Sequence, residues 1–211
     1  MKKLAIIGTR EFGVQVLNYA RNTGRYEVVG WIDDLEEVGN LICNLPVICN
    51  VENAVHYYNK GLFDFAFIAI GYSKMDIKQS VYNIIKGEIP LANIIAPSAI
   101  VSPTAILGEG ILINDYVTID KNTVVNDDVV LLGHTLLTHD CNIGKHCYIA
   151  GNNSIAGFVT IQDNVFIGLG AAISDHVSIC SNTWVGIGCV VVESITVPGK
   201  YMSRAMSLIR V

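Results

Sequence analysis

Nowhere in these 211 residues does an apolar run approach the length needed to cross a membrane. Positive charge is scarce as well. Lys and Arg number 14 against 19 Asp and Glu, a net charge of −5, and no run of Lys and Arg interrupts that balance. The composition therefore argues against nucleic acid or an anionic lipid surface as a partner. No export signal is read either: in MKKLAIIGTRE the apolar run stops at Gly8 and charges follow at Arg10 and Glu11, short of the ~7–15-residue core a signal needs. A buried first strand is the expectation. With it comes a cytoplasmic, reducing setting in which the six cysteines are thiols. There is no CxxC motif, so a cysteine zinc site is not expected.

What the sequence does have is a period. Stepping by six from Val101 to Val197 meets only Val, Ile or Leu, a register that chance would produce on the order of 10⁻⁸ of the time. Four residues after each comes a column of mostly small or β-branched residues that includes Cys141, Cys147 and Cys189. Neither an amphipathic helix nor an alternating strand repeats every six residues. One short strand and a corner per hexad does, with three hexads per coil and residue n lying under residue n + 18. The apolar column then fills a three-sided prism, where sulfur packs as a compact hydrophobe. This pattern resembles the hexapeptide-repeat acyltransferases over about residues 96–200. The resemblance implies an all-β left-handed parallel β-helix, an exception to right-handed crossovers, in a domain of residues 93–211 that ends in a short C-terminal tail.

Residues 1–92 lack the repeat. LAIIG, VVGWIDD and FDFAFIAIG read as strands; FGVQVLNYARNTG, NVENAVHYYNKG and KMDIKQSVYNIIK read as helices. That alternation predicts a small Rossmann-like α/β domain with a parallel sheet. Its first turn, GTREFG at 8–13, stands where a dinucleotide fingerprint would, but Glu11 replaces the middle glycine. Asp33 and Asp34 end the second strand about 20 residues on, where such folds set a carboxylate against a ribose or base. Gly71 ends the third strand on the same edge.

Chemistry centres on His139, in THDCNIG at 138–144. Three roles compete. It is a corner residue in solvent, a zinc ligand, or a general base. His134 and His139 have the five-residue spacing of the γ-class carbonic anhydrases, which share this β-helix. The only earlier histidine is His56, outside the repeat, and Ser98 stands two coils below His134, so the three protein ligands of a catalytic zinc are not assembled and no metal is expected. An imidazole suits proton transfer near neutrality, and the adjacent Asp140 offers a carboxylate to fix its tautomer. One coil further, at 139 + 18, is Gly157, whose N–H is a candidate oxyanion donor. His146 and His176 fall at corners and read as surface residues, while His134 is open between surface and interface. GLG at 168–170 and GIG at 186–188 are 18 apart and predict a stacked glycine ridge beside a groove.

IDD at 32–34, IAIG at 68–71, THDCNIG at 138–144 and SIAG at 154–157, in this chain order, resemble the NeuD/PglD-type acetyltransferases of bacterial amino-sugar and sialic-acid pathways. The resemblance implies an acetyl-CoA-dependent N-acetyltransferase acting on a nucleotide-linked amino sugar, a UDP- or dTDP-4-amino-4,6-dideoxyhexose. It implies sugar-nucleotide contacts from Gly8, Arg10, Glu11, Phe12, Asp33, Asp34, Gly71, Tyr72 and Ser73. Acetyl-CoA would lie between the β-helices of a homotrimer, along Gly168, Leu169, Gly170, Gly186, Ile187 and Gly188, with Lys200 and Arg204 towards its phosphates. His139 falls on the family's base, Asp140 on its carboxylate partner and Gly157 on its acetyl-binding amide. Tyr148 stands where the family often carries a histidine near the acetyl carbonyl. The glycine-poor GTREFG turn and the missing C-terminal Gly-x-Pro-Ala element depart from the family pattern. A sialic-acid-type O-acetyltransferase and a non-catalytic ligand-binding scaffold are the two alternative readings.

Overall fold

The computed structural model describes residues 1–203. The N-terminal part is a five-stranded sheet: β1 (Lys2–Ile7), β2 (Tyr26–Ile32), β3 (Leu41–Ile42), β4 (Leu45–Cys49) and β5 (Phe65–Ile68), in the order β3-β4-β2-β1-β5. Helices α1 (Glu11–Asn22), α2 (Ala54–Asn59) and α3 (Met75–Ile85) connect and cover it. The expected strands and helices are present. The parallel sheet gains a hairpin that the sequence reading passed over: β3 pairs antiparallel to β4, which itself runs parallel to β2. Its two-residue turn, Cys43–Asn44, has both residues at positive φ, the geometry of a tight hairpin loop.

From Ile94 the chain winds as a left-handed parallel β-helix of two-residue strands. Up to Val191 every pairing joins residue n to n + 18, as in Thr118↔Leu136↔Ser154 and Val124↔Asn142↔Thr160, and the last strand pairs at n + 16, Trp184↔Lys200. The strands sort into three faces. The first carries Ile94, Leu112, Val130, Tyr148, Phe166, Trp184 and Lys200; the second starts at Ile100 and the third at Ile106. Both predicted columns fill the interior, including Cys141, Cys147 and Cys189. The column breaks once. Val197 is exposed, and Ile195 closes the core in its place, bridged to Ile179, because the winding loses its six-residue register after Val191.

A corner needs one residue in the left-handed region, and every sixth residue from Gly110 to Gly188 is there. That conformation costs a non-glycine roughly 1–2 kcal/mol, less for Asn and Asp, whose short polar chains bond locally. Asn, Asp, His or Gly therefore occupy the corners, except at Tyr116 and Phe158. Each of these two rings stacks on a histidine one coil above, His134 and His176 respectively. An aromatic pair contributes about 0.5–1.5 kcal/mol, enough to offset most of the backbone cost.

The N-terminal sheet rests on the first face. Leu4, Val16, Leu17, Phe67 and Ala69 share one apolar cluster with Leu112, Val130, Tyr148 and Phe166. Beside it, α3 docks on the corner between the third and first faces. Lys78 Nζ lies 2.6 Å from Asp128 Oδ1, whose other oxygen is 2.8 Å from His146 Nδ1, and all three side chains are buried. Tyr82 donates to Asp127 at 2.8 Å, and Lys145 pairs with the same carboxylate. His146 is thus not the surface residue expected of it. Lys78, brought from the other part of the chain, completes a buried ion cluster that corner chemistry alone does not reveal.

Candidate functional site

Two separate places carry chemistry. The first is a cleft of about 800 Å3 at the carboxyl edge of the parallel sheet, against the first face of the β-helix. It is lined by Gly8, Arg10, Glu11, Phe12, Asp33, Asp34, Gly71, Tyr72 and Ser73, every residue that the sequence assigned to the sugar nucleotide. The β1–α1 turn is built for close packing. Gly8 has φ +105°, and a side chain at Gly13 would overlap the Gly8 carbonyl oxygen, so α1 can lie tight against the turn. The two aspartates differ. Asp33 is buried and spent on the backbone: one oxygen accepts from Thr9 N and Thr9 Oγ1, the other from Leu35 N. Asp34 is exposed, and one of its oxygens accepts from Val51 N at 2.7 Å. Lys74, in the GYSKM stretch at 71–75 that the sequence sets beside the sugar pocket, also lines the cleft, as does Gln15 of α1, which no motif marked.

Tyr148 belongs to this cleft and reaches it from the β-helix. Burial, with the neighbouring Tyr72 phenol, pushes its pKa up to about 12. Tyr72 packs on a ladder of rings at 18-residue spacing, with centroids 5.4 Å from Tyr148, 5.0 Å from Phe166 and 5.8 Å from Trp184. That spacing is written in the sequence, though the hexad columns alone do not pick it out. Lys200 lies over the Trp184 ring at 5.5 Å, on the first face, and Arg204 lies outside the described residues.

The second place is the corner between the second and third faces, which carries His139. Its Nδ1 is 2.9 Å from Asp140 Oδ2, so the two neighbours in sequence do meet. Asn122, one coil below, donates to the other Asp140 oxygen at 3.0 Å. Those hydrogen bonds, Asn122 first and His139 second, hold the Asp140 carboxyl below its ordinary value. Asn122 was missed, although it stands 18 residues before Asp140. Gly157 lies directly on the imidazole: a Cβ there would be 2.7 Å from His139 Cε1 and 3.0 Å from Nε2. Gly157 is buried, with the ring against it, and no hydrogen bond among the described residues uses its N–H. The His139 side chain is 40% exposed, so it is reachable from outside the prism.

The glycine ridge stands at another corner, between the first and second faces. Gly188 N donates to Leu169 O at 2.8 Å, and a Cβ on Gly168 would be 2.7 Å from Ile187 N. Leu169 and Ile187 are exposed along it, and Gly170 and Gly186 complete the two stacked turns. His134 is at this corner too, stacked on Tyr116 and exposed; His134 and His139 therefore do not converge within one chain. His176 is exposed as expected.

Residues 3–85 match the family model of the PglD N-terminal domain. Over 106 residues the chain is 30% identical to the GDP-perosamine N-acetyltransferase of Escherichia coli O157:H7, a stretch that covers 50% of this chain and 48% of that one. The chain thus spans less than half the length of the curated relatives it matches. Solved structures cover it nearly end to end. PerB from Caulobacter crescentus, in complex with CoA and GDP-perosamine, superposes with a TM-score of 0.86 at 25% identity over 96% of this chain and 95% of that one. The acetyltransferase domain of PglB from Neisseria gonorrhoeae FA1090, in complex with acetyl coenzyme A, gives 0.84 at 25% identity over 96% of each. The resemblance to the NeuD/PglD type is borne out in both parts of the chain.

Proposed function

We propose that this chain, similar along its length to the NeuD/PglD-type sugar acetyltransferases, moves acetyl from acetyl-CoA to the amino group of a nucleotide-linked amino sugar. One observation carries the reading: nine residues assigned to a sugar nucleotide from sequence all line one cleft. The relatives supply the co-substrates. PerB is seen with CoA and GDP-perosamine, and the PglB domain with acetyl-CoA. Residues 1–92 would hold the nucleotide sugar and residues 93–211 the acetyl donor. The GDP ligand of PerB adds guanosine to the uridine and thymidine expected from sequence, so all three nucleotides belong in the substrate screen.

In the reaction the sugar amine attacks the thioester carbonyl carbon, the C–S bond breaks, and CoA leaves as its thiol. His139 accepts the proton that the nitrogen gives up, through the ring nitrogen that Asp140 leaves free. Asp140 keeps the ring in one tautomer and stabilises the imidazolium, as the carboxylate does in a catalytic triad. The Gly157 N–H, which no hydrogen bond among the described residues uses, is the candidate donor to the carbonyl oxygen. CoA would run along Leu169 and Ile187.

Geometry also supports a composite site. The cleft opens on the first face, and His139 sits at the corner opposite that face, so one chain cannot bring them together. The corner that carries His139 in one copy would then meet the cleft of another, in keeping with the homotrimer expected from the resemblance. CoA release assayed with UDP-, dTDP- and GDP-linked amino sugars against free sialic acid tests the reading. Release with sialic acid alone would replace it with the O-acetyltransferase; absence of release with every acceptor would leave the scaffold.

A further inference from the structure

Phe158 has no business at its corner on backbone grounds. Among the left-handed corner residues from Gly110 to Gly188 only Tyr116 and Phe158 are neither glycine nor Asn, Asp or His. A bulky side chain at positive φ is a genuine conformational outlier, and it persists only where the surrounding structure holds it there. Phe158 has φ 60° and is half exposed, so the interior core does not require it.

Its contacts supply the reason. On one side the ring lies parallel to His176, with centroids 4.8 Å apart and planes 7° from parallel. On the other, its ring meets His139 nearly at right angles, with centroids 5.2 Å apart and 84° between planes. Phe158 N also donates to the His139 carbonyl at 3.2 Å, which fixes the two residues layer upon layer. The imidazole is therefore bounded three ways: by Asp140 at Nδ1, by the Gly157 α-carbon against its plane, and by the Phe158 ring. Nε2 makes no hydrogen bond among the described residues.

We propose that Phe158, braced by His176, is a positioning residue that keeps the His139 imidazole against Gly157 and in register with Asp140. Among the described residues the Phe158 ring is the contact that stands against the partly exposed imidazole swinging away from Gly157. The Asp140 bond alone permits such motion, since a single hydrogen bond is a pivot. The proposal rests on the reading of His139 as the base, and it adds a residue that neither the repeat nor the motifs single out.

Phe158→Asn is the test, because asparagine suits the left-handed corner and preserves the coil. Misplacement of a reacting group by an ångström costs up to about 10²-fold, so a loosened base should lower kcat by about tenfold or more. Both KM values should stay within about twofold, since neither substrate touches Phe158 in this account. Phe158→Tyr, which keeps the ring, should restore kcat. In the ligand-free protein the His139 ring signals, assigned by comparison with His139→Asn, should move and broaden in Phe158→Asn as the ring-current contact is lost. Unchanged kcat, a loss carried by KM, or equal impairment in Phe158→Tyr overturns the proposal. So does a His139 signal that is the same with and without the Phe158 ring. If the wild-type protein acetylates no nucleotide amino sugar, the functional reading fails by itself, and the NMR comparison still decides whether Phe158 holds the imidazole.

Discussion

The α-carbon of Gly157 lies against the imidazole of His139 one coil below, so closely that a methyl group added there would sit 2.7 Å from Cε1. Real carbon atoms do not approach so near. Gly157→Ala must therefore push the ring outward, while the backbone at 157, which is not left-handed, accepts alanine. The expected result is a loss in kcat of about 10²-fold with little change in melting temperature, because the displaced ring is partly exposed. Steady-state kinetics beside a thermal melt checks it; a melt that falls with kcat would make the effect one of folding.

Asn122 should control the ionisation of Asp140. Its hydrogen bond is the largest of the influences that hold that carboxyl low. A depressed carboxyl contributes stability above its unfolded value and loses it as pH falls through the folded one. Asn122→Ala should move the Asp140 titration up towards the ordinary value of about 3.9, so the contribution fades at higher pH than in the wild type. The side-chain carboxyl carbon of Asp140, followed by NMR through acid pH, reports this directly. An unmoved titration would mean that His139, not Asn122, dominates.

Tyr148 should act on the sugar side. It lines the cleft, whereas the family resemblance puts its counterpart near the acetyl carbonyl. With the pKa raised to about 12 the phenol stays protonated across the working range and remains a hydrogen-bond donor. Tyr148→Phe is expected to raise KM for the nucleotide sugar by about 3–10-fold, one net hydrogen bond, and to leave KM for acetyl-CoA alone. An effect confined to acetyl-CoA would return Tyr148 to the donor side, contributed by a neighbouring copy.

The buried cluster at the junction should be the place where a single change costs most. Lys78→Met leaves the Asp128 carboxylate buried with only His146 beside it. Removing one partner of a buried ion pair destabilises by about 3–5 kcal/mol. In a chain of this size that corresponds to a melting point lower by roughly 6–20 °C. Calorimetry of Lys78→Met tests it; a change under about 1 kcal/mol would show the pair to be no better than an exposed one.

How much of this is legible in the sequence follows from which contacts a period can encode. The β-helix, its inward cysteines and the stacking of Gly157 on His139 all follow from the n + 18 rule, because each coil copies the last. The same rule reaches Asn122 under Asp140 and the ladder of Tyr148, Phe166 and Trp184, once outward columns are followed as well as inward ones. It stops at Val197, where the register is lost. It also cannot reach His146, whose burial depends on Lys78, a residue 68 positions away on a helix with no repeat. Asp33 illustrates a different limit: the sequence marks the sheet edge correctly, but only geometry reveals that the backbone already occupies both carboxylate oxygens.

The most direct test of the account is the rate of CoA release by His139→Asn with a nucleotide-linked amino sugar that the wild-type protein acetylates. Loss of a general base predicts a fall in kcat of about 10²–10⁴-fold at near-neutral pH, with both substrates still bound and the melting temperature unchanged. Turnover at the wild-type rate would contradict it.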